Sequence, residues 1–182
     1  MSQPIQMRSL REAPGATFEE PFEMLEACHE RVHRMLKLLA RLRAHIRDNG
    51  VDAQAQQAAR DVMRYFDIAA PHHHMDEELH VFPPLLAQGD ARIADIVRRL
   101  QQDHLLMETR WRAAREVLVL VAEASVQQLS GDDDAALDAF AGVYDDHIAT
   151  EEGIAYPAAK EILDADAIQR ASEDMARRRG VK

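Results

Sequence analysis

Apolar residues return every three or four positions along most of this chain, the spacing of helices that bury one face. Pro21 opens the first such stretch where a helix has no use for an N–H, and Leu25, His29, Val32, Leu36 and Leu39 form a stripe that should end near Asn49 and Gly50. A second stripe starts near Asp52 and carries Val62, Phe66, Ala69, His73, Glu77 and His80, running out around Pro83, Pro84 and Gly89. Pro71 lies inside it and predicts a kink or restart, because proline removes a backbone hydrogen bond and clashes with the preceding turn. From Asp90 the third stripe is the most regular: Ile93, Val97, Leu100, His104, Met107, Trp111, Ala114, Leu118 and Val121. Gly131 with Asp132, Asp133 and Asp134 marks a turn with N-cap residues, and a fourth stripe follows with Leu137, Phe140, Tyr144, His147, Glu151, Ala155 and Ala158. Asp164 or Asp166 can cap a short fifth helix carrying Ile168 and Met175.

Four long helices with short connections predict an all-α, up-down-up-down four-helix bundle over residues 21–163, with an arm at 1–20 and a short helix and tail at 164–182. Composition points the same way. Aromatics make up only 5% of the 182 residues, Gly and Pro number 7 each, and strand-like alternation is missing over any useful length. At 47% hydrophobic the chain can bury one continuous core. A net charge of −10 speaks against nucleic acid or an anionic membrane as partner. The longest apolar run, residues 117–122, is too short for a membrane span, and the first residues lack the apolar stretch of a secretory signal, so a cytoplasmic location is expected. Arg177, Arg178 and Arg179 before Gly180 read as a helix C-terminus whose dipole favours cations. The single cysteine, Cys28, excludes an internal disulfide, a zinc ribbon or a C-x-x-C pair, and reads as a small packing group.

The stripes contain residues that do not belong in an apolar core. His73, Glu77, Phe82 and Pro83 are repeated as His147, Glu151, Tyr156 and Pro157, so H-x-x-x-E followed by an aromatic-proline pair occurs twice. A histidine and a glutamate four apart share one helix face and offer nitrogen and oxygen to one point. His29 precedes the first pair by 44 residues and His104 precedes the second by 43 (73 − 29 and 147 − 104), giving the order H, HxxxE, H, HxxxE. Two buried carboxylates without cations would cost several kcal/mol each, and no Lys or Arg lies on the stripes at this level, which leaves bound metal as the simplest neutraliser. Four neutral imidazoles and two bridging carboxylates can serve two ions and leave positions open; iron, manganese or zinc suits such ligands, with iron and gas or redox chemistry favoured.

The neighbouring residues read as follows. His74 also has a glutamate four on, Glu78, but the aromatic-proline match selects His73 with Glu77. Glu78 and Glu152 face sideways, as acceptors for imidazole N–H groups or, the preferred reading, as surface charge. His33 and His45 are expected to be exposed, Tyr65, Tyr144 and Trp111 to be core packing, and Glu108 is an optional seventh ligand beside the third stripe.

On these residues the chain resembles the hemerythrin-like, or HHE cation-binding, family across about residues 21–163. The resemblance implies a four-helix bundle around a non-heme di-iron centre that can carry an oxo bridge, with His29, His73, Glu77, His104, His147 and Glu151 as ligands and O2, NO or peroxide as the small ligand. Oxygen-carrying hemerythrins have a histidine where Glu108 stands and a wider final His/Asp pair. The match is therefore to the bacterial four-histidine, two-glutamate branch rather than to reversible oxygen transport. Members linked to iron-sulfur repair carry an added cysteine-containing N-terminal segment, and the twenty or so residues before the bundle hold no cysteine pair. Two other classes stay open: a ferritin-like iron oxidase or store, using Glu26 with His29 and Glu77 with His80, and a metal-free helical interaction module.

Overall fold

The structure, a computed structural model, describes residues 20–181; the arm expected at 1–20 lies outside these except for Glu20. Among the described residues there are helices and no strands. Helix α1 spans Pro21–Asn49 and α2 spans Ala53–Asp76, which passes through a π-helical turn, Glu77–Val81, into α3, Phe82–Ala87. Helix α4 spans Ala91–Ala122. The fourth rod is segmented into α5 (Gly131–Ala141), α6 (Tyr144–Thr150), a second π-helical turn (Glu151–Ala155) and α7 (Tyr156–Ile162); α8 (Ala165–Arg178) follows. α1 packs on α2, α2 on α4, α4 on α5, and α5 back on α1, closing the predicted four-helix bundle. No helix among the described residues is long and apolar enough to cross a membrane.

Most helix ends follow from local chemistry. Asp52, Asp90 and Asp164 accept backbone N–H groups at the starts of α2, α4 and α8. The fourth rod is capped by Ser130 rather than by the aspartates after Gly131: its side chain accepts from Asp133 N–H while the Asp133 carboxylate accepts from Ser130 N–H. Gly50 ends α1 with φ +78°, and a Cβ there would stand 3.2 Å from the Gln127 carbonyl oxygen, so a side chain would be strained by conformation and crowded in space.

Pro71 does not break α2. The helix is continuous through it, with Pro71 on the exposed face, where water can serve the freed carbonyl. The departure from α geometry comes at Glu77 instead, and its cause is the motif's own proline. Pro83 has no N–H and its ring would meet the carbonyl of residue 79; Pro157 has the same relation to residue 153. The chain widens by one residue, so that Phe82 N–H bonds the Glu77 carbonyl and Tyr156 N–H bonds the Glu151 carbonyl. Five residues of ordinary helix sweep about 500°, which would turn the aromatic away from the glutamate's face; the wider turn brings both inward. Glu77, Phe82, Glu151 and Tyr156 are all fully buried.

The interior has two apolar clusters with a polar layer between them. One holds Leu39, Leu42, Ile46, Val62, Phe66, Leu118, Leu137 and Phe140. The other holds Phe22, Leu25, Phe82, Leu85, Leu100, Tyr156 and Met175. Along each rod the layer falls between them: His29 between Leu25 and Val32, His104 between Leu100 and Met107, and each His-Glu pair likewise. Tyr144 is core, and Trp111 packs against Phe66 and Phe140 while its N–H reaches Asp67. Tyr65 is half-buried, with its hydroxyl on the Cys28 carbonyl.

The arginine run does more than complement a dipole. Arg178 and Arg179 put Nη2 atoms 2.7 and 2.6 Å from the two oxygens of Asp76, which is fully buried, and Asp174 binds Arg178 and His80. With Ala171 and Met175 buried, this clamps α8 onto the bundle beside Glu77. Removing both arginines would strand the fully buried Asp76 carboxylate, at about 3–5 kcal/mol.

Candidate metal centre

All six residues singled out on the stripes are buried and converge in the polar layer. Their donor atoms form two clusters, His29, His73, Glu77 and Glu151 in one and His104, His147 and Glu151 in the other, within each of which every donor lies within 4.8 Å of the rest. In the first, His29 Nε2 is 2.9 Å from His73 Nε2 and 3.1 Å from Glu151 Oε2, and His73 Nε2 is 3.3 Å from Glu77 Oε1. In the second, His147 Nε2 is 2.9 Å and His104 Nε2 3.7 Å from Glu151 Oε1. Glu77 also reaches across, with Oε2 3.4 Å from His104 Nε2.

The outer faces of three imidazoles meet carboxylates. His29 Nδ1 lies 2.8 Å from Glu152 Oε1, His104 Nδ1 lies 3.0 Å from Glu78 Oε1, and His147 Nδ1 lies 3.4 Å from Asp103 Oδ2. Gln101 Nε2 donates to the other oxygen of Glu78 and holds it in place. These acceptors keep the proton on Nδ1 and aim the Nε2 lone pair inward. Glu78 and Glu152 are thus not plain surface charge: the flank of a stripe in a bundle faces the neighbouring helix. Asp103 was not singled out from sequence at all, although it immediately precedes a stripe histidine.

Lone pairs aimed at one another at these distances repel unless a cation lies between them. Glu77 Oε2, both Glu151 oxygens, His104 Nε2 and His147 Nε2 are buried with no hydrogen-bond partner of good geometry, a costly state for carboxylates. Without metal, protons take the cation's place. Burial works against charging His104, but Glu151, Glu77 and Glu78 around it push its pKa up to about 11. Burial and the neighbouring Glu151 charge push Glu77 up to about 7. For Glu151, burial is outweighed by the His104, His147 and His29 contacts, which hold it well below the usual carboxylate range. Burial and nearby His29 keep His73 neutral. The donor set therefore fits a cation, by charge and by direction.

The remaining candidates stay outside. Glu108 is exposed and pairs with Arg112, so it brings no seventh donor. His33 is partly exposed near Asp145, and His45 is half-buried rather than exposed because its Nε2 contacts Asp52, the cap of α2. Of the ferritin-like set, Glu26 pairs with Lys160 at the surface and His80 with Asp174. Cys28 is buried with its thiol pushed up by burial, and it is in neither cluster.

Two further groups touch the site. The Tyr156 hydroxyl donates to Glu77 Oε1 and lies 3.3 Å from His29 Nε2, with its ring stacked on His29. His74 stacks on His104 with ring centroids 4.0 Å apart, and both line a cleft of about 690 Å³ between α2 and α4, walled by Phe66, Ala70, Leu105, Met107 and Trp111. The cleft opens on the His104 end of the layer.

The order H, HxxxE, H, HxxxE, its convergence and its charge balance agree with the comparisons to known proteins. An uncharacterized protein of Haemophilus influenzae is 32% identical over 176 residues, covering 97% of this chain and 99% of its own length. A sequence model of the hemerythrin HHE cation-binding domain matches residues 20–159, and the chain belongs to that family.

Proposed function

We propose that this protein holds two non-heme iron ions and uses them to bind, sense or handle O2, NO or peroxide. His29, His73 and Glu77 would hold one ion, His104 and His147 the other, with Glu151 shared. The observation that carries this reading is the pair of buried donor clusters meeting at Glu151, with inward lone pairs on Glu77, Glu151, His104 and His147 that no group among the described residues satisfies. Nitrogen and carboxylate donors without a thiolate suit iron better than a structural zinc site. Bound iron would supply redox capacity and coordination positions for the small ligand.

The chain's own groups do the rest. Glu152, Glu78 and Asp103 fix the tautomers of His29, His104 and His147. The apolar clusters above and below the layer keep bulk water out. The cleft beside His104 leads a small ligand to that end. The ferritin-like reading gains nothing from the structure, since Glu26 and His80 are engaged elsewhere.

Reconstitution with ferrous iron in air, followed by metal analysis and an electronic spectrum before and after reduction and on adding NO, tests the proposal. Two irons per chain, with a visible spectrum that changes on reduction and with NO, are expected. Retention of zinc in preference to iron, or a spectrum indifferent to reduction and NO, would sink it.

A further inference from the structure

At the aromatic position the two copies of the motif differ by one oxygen atom. Phe82 stacks on His104 with centroids 5.6 Å apart and an interplanar angle of 25°; Tyr156 stacks on His29 at 5.7 Å and 7°. The rings take matching places, but only Tyr156 carries an oxygen, and that oxygen enters the first donor cluster. It contacts Glu77 Oε1 and lies 3.3 Å from His29 Nε2. Neighbouring ligands of an ion with bonds of about 2.1 Å are separated by about 3 Å. The spacings around His29, 2.9 Å to His73, 3.1 Å to Glu151 and 3.3 Å to Tyr156, are of that size.

We propose that Tyr156 is a seventh protein ligand, its phenol oxygen binding the ion held by His29, His73 and Glu77, so that exogenous ligands are directed to the ion of His104 and His147. The proposal rests on the two-ion reading above. On loading a trivalent ion, the Tyr156 O–H bond breaks, an oxygen–metal bond forms, and the proton leaves to solvent with the others released by the site; no electron changes hands. The first ion then has donors from His29, His73, Glu77, Glu151 and Tyr156, while the second has His104, His147 and the shared Glu151. The less occupied ion is the one whose ligand His104 lines the cleft. Tyr65 and Tyr144, the other two tyrosines, are no rivals: the Tyr65 hydroxyl is on the Cys28 carbonyl, and Tyr144 packs among Phe66 and Phe140.

The test uses full-length wild-type protein, Tyr156→Phe and Phe82→Tyr, each loaded with ferric iron and assayed for iron per chain, visible absorption and resonance Raman scattering. Wild type is expected to show a phenolate-to-iron charge-transfer band with enhanced tyrosine ring modes, and Tyr156→Phe to lose both while keeping two irons. Phe82 shows that phenylalanine fits this place in the repeat. Phe82→Tyr, which brings a phenol to the second ion, is expected to strengthen the band and weaken azide binding by about tenfold or more. Two irons in wild type without the band, a band that survives in Tyr156→Phe, or azide binding untouched in Phe82→Tyr overturns the proposal. The wild-type arm decides even if a variant does not fold. Failure of wild type to hold iron at all is read separately by metal analysis and defeats the two-ion reading itself.

Discussion

The corner of the site formed by α1 and α2 and the corner formed by α4 and α6 are built from the same sequence unit, yet they face different surroundings. At the first, Tyr156 stands over His29, and the outer nitrogen of His73 has no hydrogen-bond partner among the described residues. At the second, Phe82 stands over His104, Asp103 faces His147, and His74 opens the layer to the cleft where the other copy has Ile148 in the apolar core. Cys28 stands before His29 as Asp103 stands before His104. The shared unit sets up a charge-balanced frame, and its departures from symmetry decide which end is closed and which is reachable.

The strongest way to break the comparison is to remove what the corners share. Glu151 is 3.1 Å from His29 through one oxygen and 2.9 Å from His147 through the other. Glu151→Ala should lose both ions, whereas His147→Ala should lose one; metals per chain by mass spectrometry distinguish these outcomes. Retention of one tightly bound ion in Glu151→Ala would mean that the corners are independent.

Acidity acts next most strongly. A metal needs His104 neutral and Glu77 ionised, but in the metal-free protein these hold protons up to about pH 11 and about pH 7. Metal affinity should therefore rise with pH, by at least about a hundredfold per unit below pH 7, where His104, Glu77 and His29, whose pKa is also raised, all give up protons, and less steeply above it, where His104 is the main proton holder. Above about pH 7, stability of the metal-free protein should move the other way; below it, His73 and His74, held neutral by burial, act in the opposite sense. Both folded pKa values are raised above their ordinary values, so these groups stabilise fully below pH 4.5 for Glu77 and 6.5 for His104, and that stabilisation is lost as pH rises through 7 and then 11. Competition titrations from pH 5 to 9 and thermal melts from pH 7 to 9 check both slopes, and a metal affinity flat in pH would exclude the proton-filled layer.

The outer carboxylates sharpen the contrast further. Glu78→Gln should weaken the ion at His104, and Glu152→Gln the ion at His29, each by about 10–100-fold and with little effect on the opposite corner. Isothermal titration with a redox-inert divalent ion measures both steps, and an equal loss at both corners would show that these residues act through overall charge.

These acceptors also mark where sequence reading stopped. The stripes placed all six inward donors, because burial and helical period are local properties that a single chain displays. Glu78 and Glu152 read as surface charge in the sequence because a position beside a stripe resembles a solvent face, whereas in the bundle it adjoins α4 or α1. The aromatic-proline ending was visible as a repeat, but its meaning depends on a π turn, which forms only because a proline carbonyl clash and a buried glutamate must be met at once. Pro71 misled for the complementary reason: on an exposed face the same residue is tolerated. The Asp76 clamp joins residues about a hundred positions apart and has no local signature.

The smallest expected effect comes from Asp103. Its oxygen is 3.4 Å from His147 Nδ1, longer than the 3.0 Å of Glu78 to His104 and the 2.8 Å of Glu152 to His29, and among the described residues nothing comparable to Gln101 holds it. Asparagine keeps an acceptor oxygen and thus the tautomer, and removes only the charge, which contributes about half of a charge-assisted hydrogen bond. Asp103→Asn should weaken the His104/His147 ion by only about two- to fivefold and leave the other unchanged. Since the first copy has Cys28 at the matching position and no acceptor for His73, that corner already shows how little the layer needs there. A loss in Asp103→Asn as large as in Glu78→Gln would mean that the contact tightens when metal binds, and that the corners differ more when loaded than their metal-free geometry indicates.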